Sequence, residues 1–244
     1  MKIIQLNIWG GKLGQQVINF LKAENPDIVC LQEVNDLKGR SGYKFFATLD
    51  EIKEGAGFSN AFMSPTFSMR YMEREMSYGN AILSKFPIEN SETIFTNLDF
   101  KANFDMTLDD GNIRNFQIAE INTKTKKLTV LNHHGYHIKT TKDGDEETFR
   151  QMKLIAEKIS DLNGPIILCG DLNLTPNSSS IEVLNQKLTN LSLANNLKST
   201  YGQLSIVDEV CDYIFVNDQV KVKSFKMSNE LVSDHKALIL EFDL

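Results

Sequence analysis

Apolar residues recur with two periods along this chain, and polar residues gather where those periods stop. Ile4, Leu6 and Ile8 alternate over residues 1–9, the two-residue period of a strand. Residues 27–32 follow Pro26 as an apolar run and predict a buried strand that ends at Glu33. Residues 78–83, 126–134, 165–169, 211–216 and 237–242 predict further strands. The helical period appears in Leu13, Val17, Ile18, Phe20 and Leu21. It returns in Phe149, Met152, Ile155, Ala156 and Ile159 within residues 146–162. Residues 178–188, after Pro176, predict one more helix. Residues 104–108 and 112–121 flank Asp109-Asp110-Gly111, a hairpin signal. Strands outnumber helices, and many are hairpin-like rather than βαβ units. That favours packed mixed sheets with helices outside them.

Composition narrows the class. A length of 244 residues fits one large domain, and we expect residues 1–244 to form it. At 41% hydrophobic and 24% charged, the chain reads as an ordinary globular protein. The N-terminus starts a strand at once and lacks the apolar stretch of a signal peptide, so the compartment expected is the cytoplasm. No segment is apolar for long enough to span a membrane. The three cysteines, Cys30, Cys169 and Cys211, lie in apolar runs without a CxxC and read as buried free thiols. A net charge of −6 lacks the basic footprint of a non-specific nucleic-acid binder. It does not exclude a nuclease, because bound cations supply local positive charge.

The ends of the strands carry the chemistry. Asn7 closes the first strand and Glu33 the second. His134 follows Val130-Leu131-Asn132. Asp171 and Asn173, in Gly170-Asp171-Leu172-Asn173, follow the strand at 165–169. Asp212 opens a late strand, and Asp234-His235 precedes the last. Open α/β folds place ligand groups at such ends. Carboxylates and amides on one rim suit a hard cation such as Mg²⁺ or Mn²⁺, whereas zinc would want thiolates or more imidazoles.

Leu6-Asn7, Leu31-Gln32-Glu33, Gly170-Asp171-Leu172-Asn173, Asp212-Tyr213 and Ser233-Asp234-His235 resemble, in this order, the signature blocks of the endonuclease/exonuclease/phosphatase superfamily. The blocks run from the first strand to the last. The resemblance implies a four-layered α/β sandwich, two packed mixed sheets flanked by helices, and a Mg²⁺-dependent phosphoesterase. It implies Glu33 as principal metal ligand, with Asn7 beside it and Asp234 as a further ligand. It implies Asp171 as the residue that activates water, Asn173 orienting that water and a phosphate oxygen, and His235 contacting the phosphate with Asp212 fixing its tautomer. His134, in Asn132-His133-His134, would stabilise charge on the phosphate. The substrate expected first is a nucleic acid. A phospholipid or a small phosphorylated metabolite is the alternative, and a catalytically silent binding module stands behind both. Which of Asp171 and His235 takes the proton is open at this level.

Other patterns have plainer readings. Adjacent His133 and His134 point to opposite faces of a strand, so they do not share an ion. Gly10-Gly11-Lys12-Leu13-Gly14 lacks the spacing of a phosphate loop and reads as a loop into a helix. No GxSxG elbow is present. Gly79 reads as a packing glycine, and Asn80 either reaches the site or bonds within its strand. Met63, Met69, Met72 and Met76 read as packing, or as an apolar lip. Lys124, Lys126, Lys127, Lys139 and Lys142 read as a solvated edge.

Overall fold

Twelve strands fall into two mixed sheets among the described residues, which are 1–37 and 45–244 of the computed structural model. The first sheet comprises β1 (Lys2–Asn7), β2 (Ile28–Leu37), β3 (Asn60–Tyr71), β4 (Arg74–Ser84), β11 (Lys221–Met227) and β12 (Leu238–Asp243). Its order is β11-β12-β1-β2-β4-β3. The second comprises β5 (Ile88–Asn97), β6 (Arg114–Asn122), β7 (Lys127–His134), β8 (Ile166–Asp171), β9 (Thr189–Asn190) and β10 (Asp212–Val216). Its order is β5-β6-β7-β8-β10-β9. The central pairs β1–β2 and β7–β8 are parallel, and the remaining pairs are antiparallel.

The two-residue period builds the layers. Ile4, Leu6, Val29 and Leu31 face outward and pack with Val17, Leu21 and Ile52 of helices α1 (Gly14–Glu24) and α2 (Leu49–Ala56). Leu131, Leu168 and Phe215 face outward from the second sheet. They pack on Met152, Ile155, Ile181 and Leu184 of α3 (Glu146–Asp161) and α4 (Ser179–Asn185). The intervening positions, Ile3, Cys30, Val130, Cys169 and Ile214, meet between the sheets. Each of these burials contributes about 1.5–3 kcal/mol for a large aliphatic side chain. The result is the helix–sheet–sheet–helix sandwich that the pattern predicts. A one-turn helix, α5 (Leu191–Ala194), follows β9.

The same inner face changes character along each strand. It is apolar at Ile3, Ile28, Val130 and Ile167, and polar at Gln5, Asn7, Gln32, Asn132, His134 and Asp171. Antiparallel β10 contributes Asp212 at its start, directly opposite Asp171. One end of the inter-sheet space is therefore a hydrocarbon core and the other is a buried polar rim.

Three expectations need correction. Residues 104–108 form no strand and β6 does not pair with them. Arg114–Asn122 pairs with β5 and β7, while Phe104 packs on Phe67 and Ile113. Phe104 thus covers the β3–β4 hairpin, while Met106 and Leu108 stay exposed. The second strand does not end at Glu33 but continues to Leu37 across an irregularity between Leu31 and Val34. β3, β5 and β11 carry no clean alternation, being half exposed at sheet edges, and were not anticipated. The thiols of Cys30, Cys169 and Cys211 are free and buried, as expected. No helix among the described residues is long and apolar enough to cross a membrane.

Candidate active site

Two backbone features aim the acidic groups. Strand parity would send Gln32 and Glu33 to opposite faces of β2. The irregularity at this point places Glu33 at φ 56°, and both side chains then turn toward the polar rim. In the Gly170 turn, Gly170 lies so close to β7 that a Cβ there would sit 2.2 Å from the carbonyl oxygen of His133. Only glycine allows that approach, and it carries Asp171 to the rim. Asn173 also takes a left-handed conformation, φ 56°, and its backbone N–H donates to Asp171 Oδ1 at 3.1 Å.

Glu33, His134, Asp171, Asn173, Asp234 and His235 all line one open cleft of about 990 Å³. Asn7 and Asp212 do not line it but bond to residues that do. Asn7 Nδ2 donates to Glu33 Oε1 at 3.1 Å and to Asp171 Oδ2 at 3.0 Å. Its oxygen accepts the Trp9 backbone N–H at 3.0 Å. Asn7 therefore bridges two carboxylates through its amide nitrogen, while its amide oxygen accepts from Trp9.

Asp212 and His235 form a buried pair, with Nδ1 and Oδ2 2.8 Å apart. His235 Nε2 lies 3.7 Å from Asp171 Oδ2 on the other side. Burial disfavours charge on this imidazole, but Asp212 and Asp171 outweigh it and raise its pKa to about 10. Tyr201 covers the ring at a centroid separation of 4.3 Å, a position that favours the cation. His134 behaves oppositely. Its Nε2 is also 3.7 Å from Asp171 Oδ2, yet burial, with Arg114 nearby, holds it well below the ordinary imidazole range. His134 and His235 are thus shifted in opposite directions within one cleft. Burial raises the Asp171 carboxyl above its usual value, and the His235 cation opposes this.

A chain of buried amides fixes the orientation of the pair. Asn132 Nδ2 lies 3.0 Å and 3.1 Å from the carbonyl oxygens of Leu31 and Ala81, so its nitrogen must face them. Asn132 Oδ1 then accepts from Gln32 Nε2 at 2.7 Å, and Gln32 Oε1 accepts from Gln5 Nε2 at 2.9 Å. Gln5 Nε2 also donates to Asp212 Oδ1 at 3.0 Å. Backbone carbonyls three residues away thereby dictate that a donor meets Asp212. The carboxylate accepts from Gln5 through one oxygen and from His235 through the other.

The donor chemistry fits a hard divalent cation at Glu33. Burial raises the Glu33 carboxyl, with Asn7 and His235 opposing and the charges of Asp171 and Asp234 adding to the rise. Glu33, Asp171 and Asp234 line the same cleft and repel one another, an excess of carboxylate that suits a hard cation. Asp171, Asp212 and His235 also approach within 4.8 Å of one another. There the imidazolium is the cation, and an added ion would have to break the 2.8 Å pair.

His133 faces away from His134 and is buried against Asn115, with its pKa lowered to about 4 by burial. Asn80 bonds Asn115 and does not enter the cleft. Gly79 packs against Ser64, where a Cβ would meet backbone oxygen at 2.2 Å. The four methionines of the β3–β4 region do not line the cleft; Met106 does. Lys142 is not part of a solvated edge, because its Nζ donates to Asn173 Oδ1 at 2.6 Å. Tyr78 and Arg114 were missed: both line the cleft and act electrostatically with Glu33. Tyr78 stands in the strand of residues 78–83, where its hydroxyl gave no signal distinct from an ordinary aromatic core position.

The family model of the Endonuclease/Exonuclease/phosphatase family matches residues 4–235. The chain belongs to this family. Members of the Endonuclease/Exonuclease/phosphatase family are phosphoesterase hydrolases, generally dependent on a divalent metal, and this chain is an enzyme of that kind. Similar solved structures include a family protein from Beutenbergia cavernae, 16% identical, with TM-score 0.74 over 100% of this chain and 71% of that one. A humanised D. rerio TDP2 is 17% identical, with TM-score 0.73 over 100% and 99%. A mannosyl-6-phosphatase from Bacteroides thetaiotaomicron is 18% identical, with TM-score 0.71 over 100% of both chains. At these identities the likeness concerns the fold. No curated protein matches the sequence.

Proposed function

We propose that this enzyme hydrolyses phosphodiesters with Mg²⁺, or Mn²⁺ in its place, at the Glu33 corner of the cleft. The observation that carries the proposal is the opposed state of three groups around one point. His235 is held as a cation, His134 is held neutral, and Asp171 is a buried carboxylate within 3.7 Å of both. Glu33 and Asp234 would hold the metal, with Asn7 keeping Glu33 and Asp171 apart and aligned. The bound cation supplies positive charge to the phosphate oxygens.

The side chains divide the remaining work. His235 is already protonated between two carboxylates, so it is poorly placed to accept a proton and well placed to offer charge to a non-bridging oxygen. Asp171 is then the base that receives the proton of the attacking water. Neutral His134 and the Asn173 amide offer hydrogen bonds to the phosphate. Water oxygen bonds to phosphorus, the ester P–O bond breaks, and the leaving oxygen departs with the electron pair and is protonated by solvent.

The substrate we propose first is a nucleic acid presented as a flexible strand. Beyond the metal corner the cleft is lined by Asp109, Asp110 and Asp145 against Lys139 and Arg114, which is no track for the paired backbones of a duplex. A phospholipid or small phosphorylated metabolite is the second reading. Exposed Met106 and Leu108 on the cleft wall favour it, since they suit an apolar substituent. The similarity to a mannosyl-6-phosphatase keeps sugar phosphates in the comparison.

The test is hydrolysis of bis(p-nitrophenyl) phosphate with Mg²⁺, Mn²⁺ or chelator, followed by single-stranded DNA, RNA, duplex DNA, sphingomyelin and sugar phosphates. Metal-dependent release of nitrophenol is expected. No turnover with any divalent ion would overturn the reaction, and preference for duplex DNA would overturn the substrate reading.

A further inference from the structure

We propose that Lys142 is a positioning residue, one that sets which end of the Asn173 side-chain amide faces the cleft. The inference rests on the active-site role proposed for Asn173.

Lys142 lies in the segment between β7 and α3, 31 positions from Asn173 in sequence. Its Nζ approaches Asn173 Oδ1 at 2.6 Å, in a part-buried setting. An ammonium can only donate, so the atom it meets must be the amide oxygen. The amide nitrogen is then committed to the other side, where it donates to the Gly135 carbonyl at a long 3.3 Å. An asparagine amide turned by half a rotation presents an acceptor where it had presented a donor. For a group meant to donate to phosphate, that reversal puts an oxygen lone pair against an anion. The Gly135 contact resists the reversal weakly, whereas the charged Lys142 contact resists it strongly.

The segment is secured without the ammonium. Thr175 N–H donates to the Lys142 carbonyl oxygen at 2.8 Å. Asp145 and Thr148 close a capping box at the start of α3, three residues on. Gly144, at φ 94°, lies against the hydroxyls of Ser178, Thr148 and Ser180. Truncating the Lys142 side chain leaves each of these in place. A lysine needed only to anchor the segment would be redundant here. Among the described residues, no carboxylate lies within ion-pair distance of its Nζ, so its charge is directed to the Asn173 oxygen and, at longer range, to Asp171.

The experiment combines two readouts. In ¹H–¹⁵N spectra of the full-length protein, the Asn173 side-chain amide pair is identified by its loss in Asn173→Ala. Lys142→Met is expected to shift or broaden that pair, and Lys142→Arg to leave it near its wild-type position. With Mg²⁺ and bis(p-nitrophenyl) phosphate, Lys142→Met should lower kcat by about tenfold to a hundredfold, the scale of one charge-assisted bond, and change KM by less than about threefold. In the Asn173→Ala background the same substitution should change kcat less than about twofold, since the two residues act as one unit. An unmoved Asn173 pair in Lys142→Met would overturn the proposal. So would an equal effect of Lys142→Met in both backgrounds, or an Arg variant as impaired as the Met variant. Absence of any metal-dependent turnover in the wild type would instead overturn the hydrolase reading, and the spectra would still decide the positioning role.

Discussion

Replacing Asp212 by Asn tests the electrostatic design of the cleft most directly. The substitution keeps the shape of the side chain but exchanges one acceptor oxygen for a donor. Gln5 Nε2 is committed as a donor by the amide chain, so it takes the remaining oxygen of Asn. The new NH₂ then faces His235 Nδ1, which must become an acceptor. The imidazole loses its anionic partner and its tautomer together. In the wild type His235 titrates at about 10, so at pH 8 about 99% of it is cationic. Without Asp212 only Asp171 and Asp234 oppose the burial, so the pKa falls toward the ordinary value of about 6.5, at which about 3% would be cationic at pH 8. The loss of cation then approaches thirtyfold before any tautomer effect. The assay is kcat/KM against pH with a chromogenic phosphodiester, beside ¹⁵N shifts of the His235 ring. The alkaline limb should move from near 10 toward 7. Stability should report the same group. A raised histidine pKa contributes stability that is complete below about 6.5 and is lost as pH rises through about 10, so that contribution should be absent in the variant. An unchanged alkaline limb in Asp212→Asn would refute the assignment of His235 as the working cation.

Further outcomes follow from single residues. Asp171→Ala removes the base and should lower kcat by at least about a hundredfold; retained activity in the variant would remove Asp171 from proton transfer. Glu33→Gln should weaken Mg²⁺ binding, read by calorimetry, by at least about tenfold, and unchanged affinity would place the ion elsewhere. Mg²⁺ at a hundred times its dissociation constant should stabilise the wild type by about 2.7 kcal/mol, an increment that chelator abolishes and that a tenfold weaker Glu33→Gln variant reduces to about 1.4 kcal/mol at the same concentration. Gly170→Ala forces a Cβ against the His133 carbonyl and should cost about 1–3 kcal/mol in urea unfolding, whereas a neutral result would show that β7 and β8 can separate there.

Much of the fold was legible because it depends on local periods. Ile4, Leu6 and Ile8 declare a strand, and Phe149, Met152, Ile155 and Ile159 a helix, whatever lies around them. What escaped was structure with mixed exposure. β3 and β5 sit at sheet edges, so their side chains show no clean alternation. The Asp109-Asp110-Gly111 signal suggested a hairpin because a turn needs only local residues, whereas a strand needs a partner. Here Phe104 packs on Phe67 and Ile113 instead, and residues 104–108 have no strand partner.

The site divides along the same line. The residue order alone marked Asn7, Glu33, His134, Asp171, Asn173, Asp212, Asp234 and His235 as polar groups where apolar runs stop, although β2 continues past Glu33. Tertiary structure decided what each of them can do. Glu33 reaches the cleft because β2 breaks its own alternation, and Asn7 faces the carboxylates with its nitrogen because Trp9 takes its oxygen. Two histidines are shifted in opposite directions because carboxylates on both sides outweigh the burial of His235, whereas burial, with Arg114 nearby, governs His134. Lys142 meets Asn173 across 31 positions of chain. Periodicity is a property of neighbours in sequence, whereas protonation state and donor direction depend on neighbours in space. Those neighbours exist only once the two sheets have closed on each other.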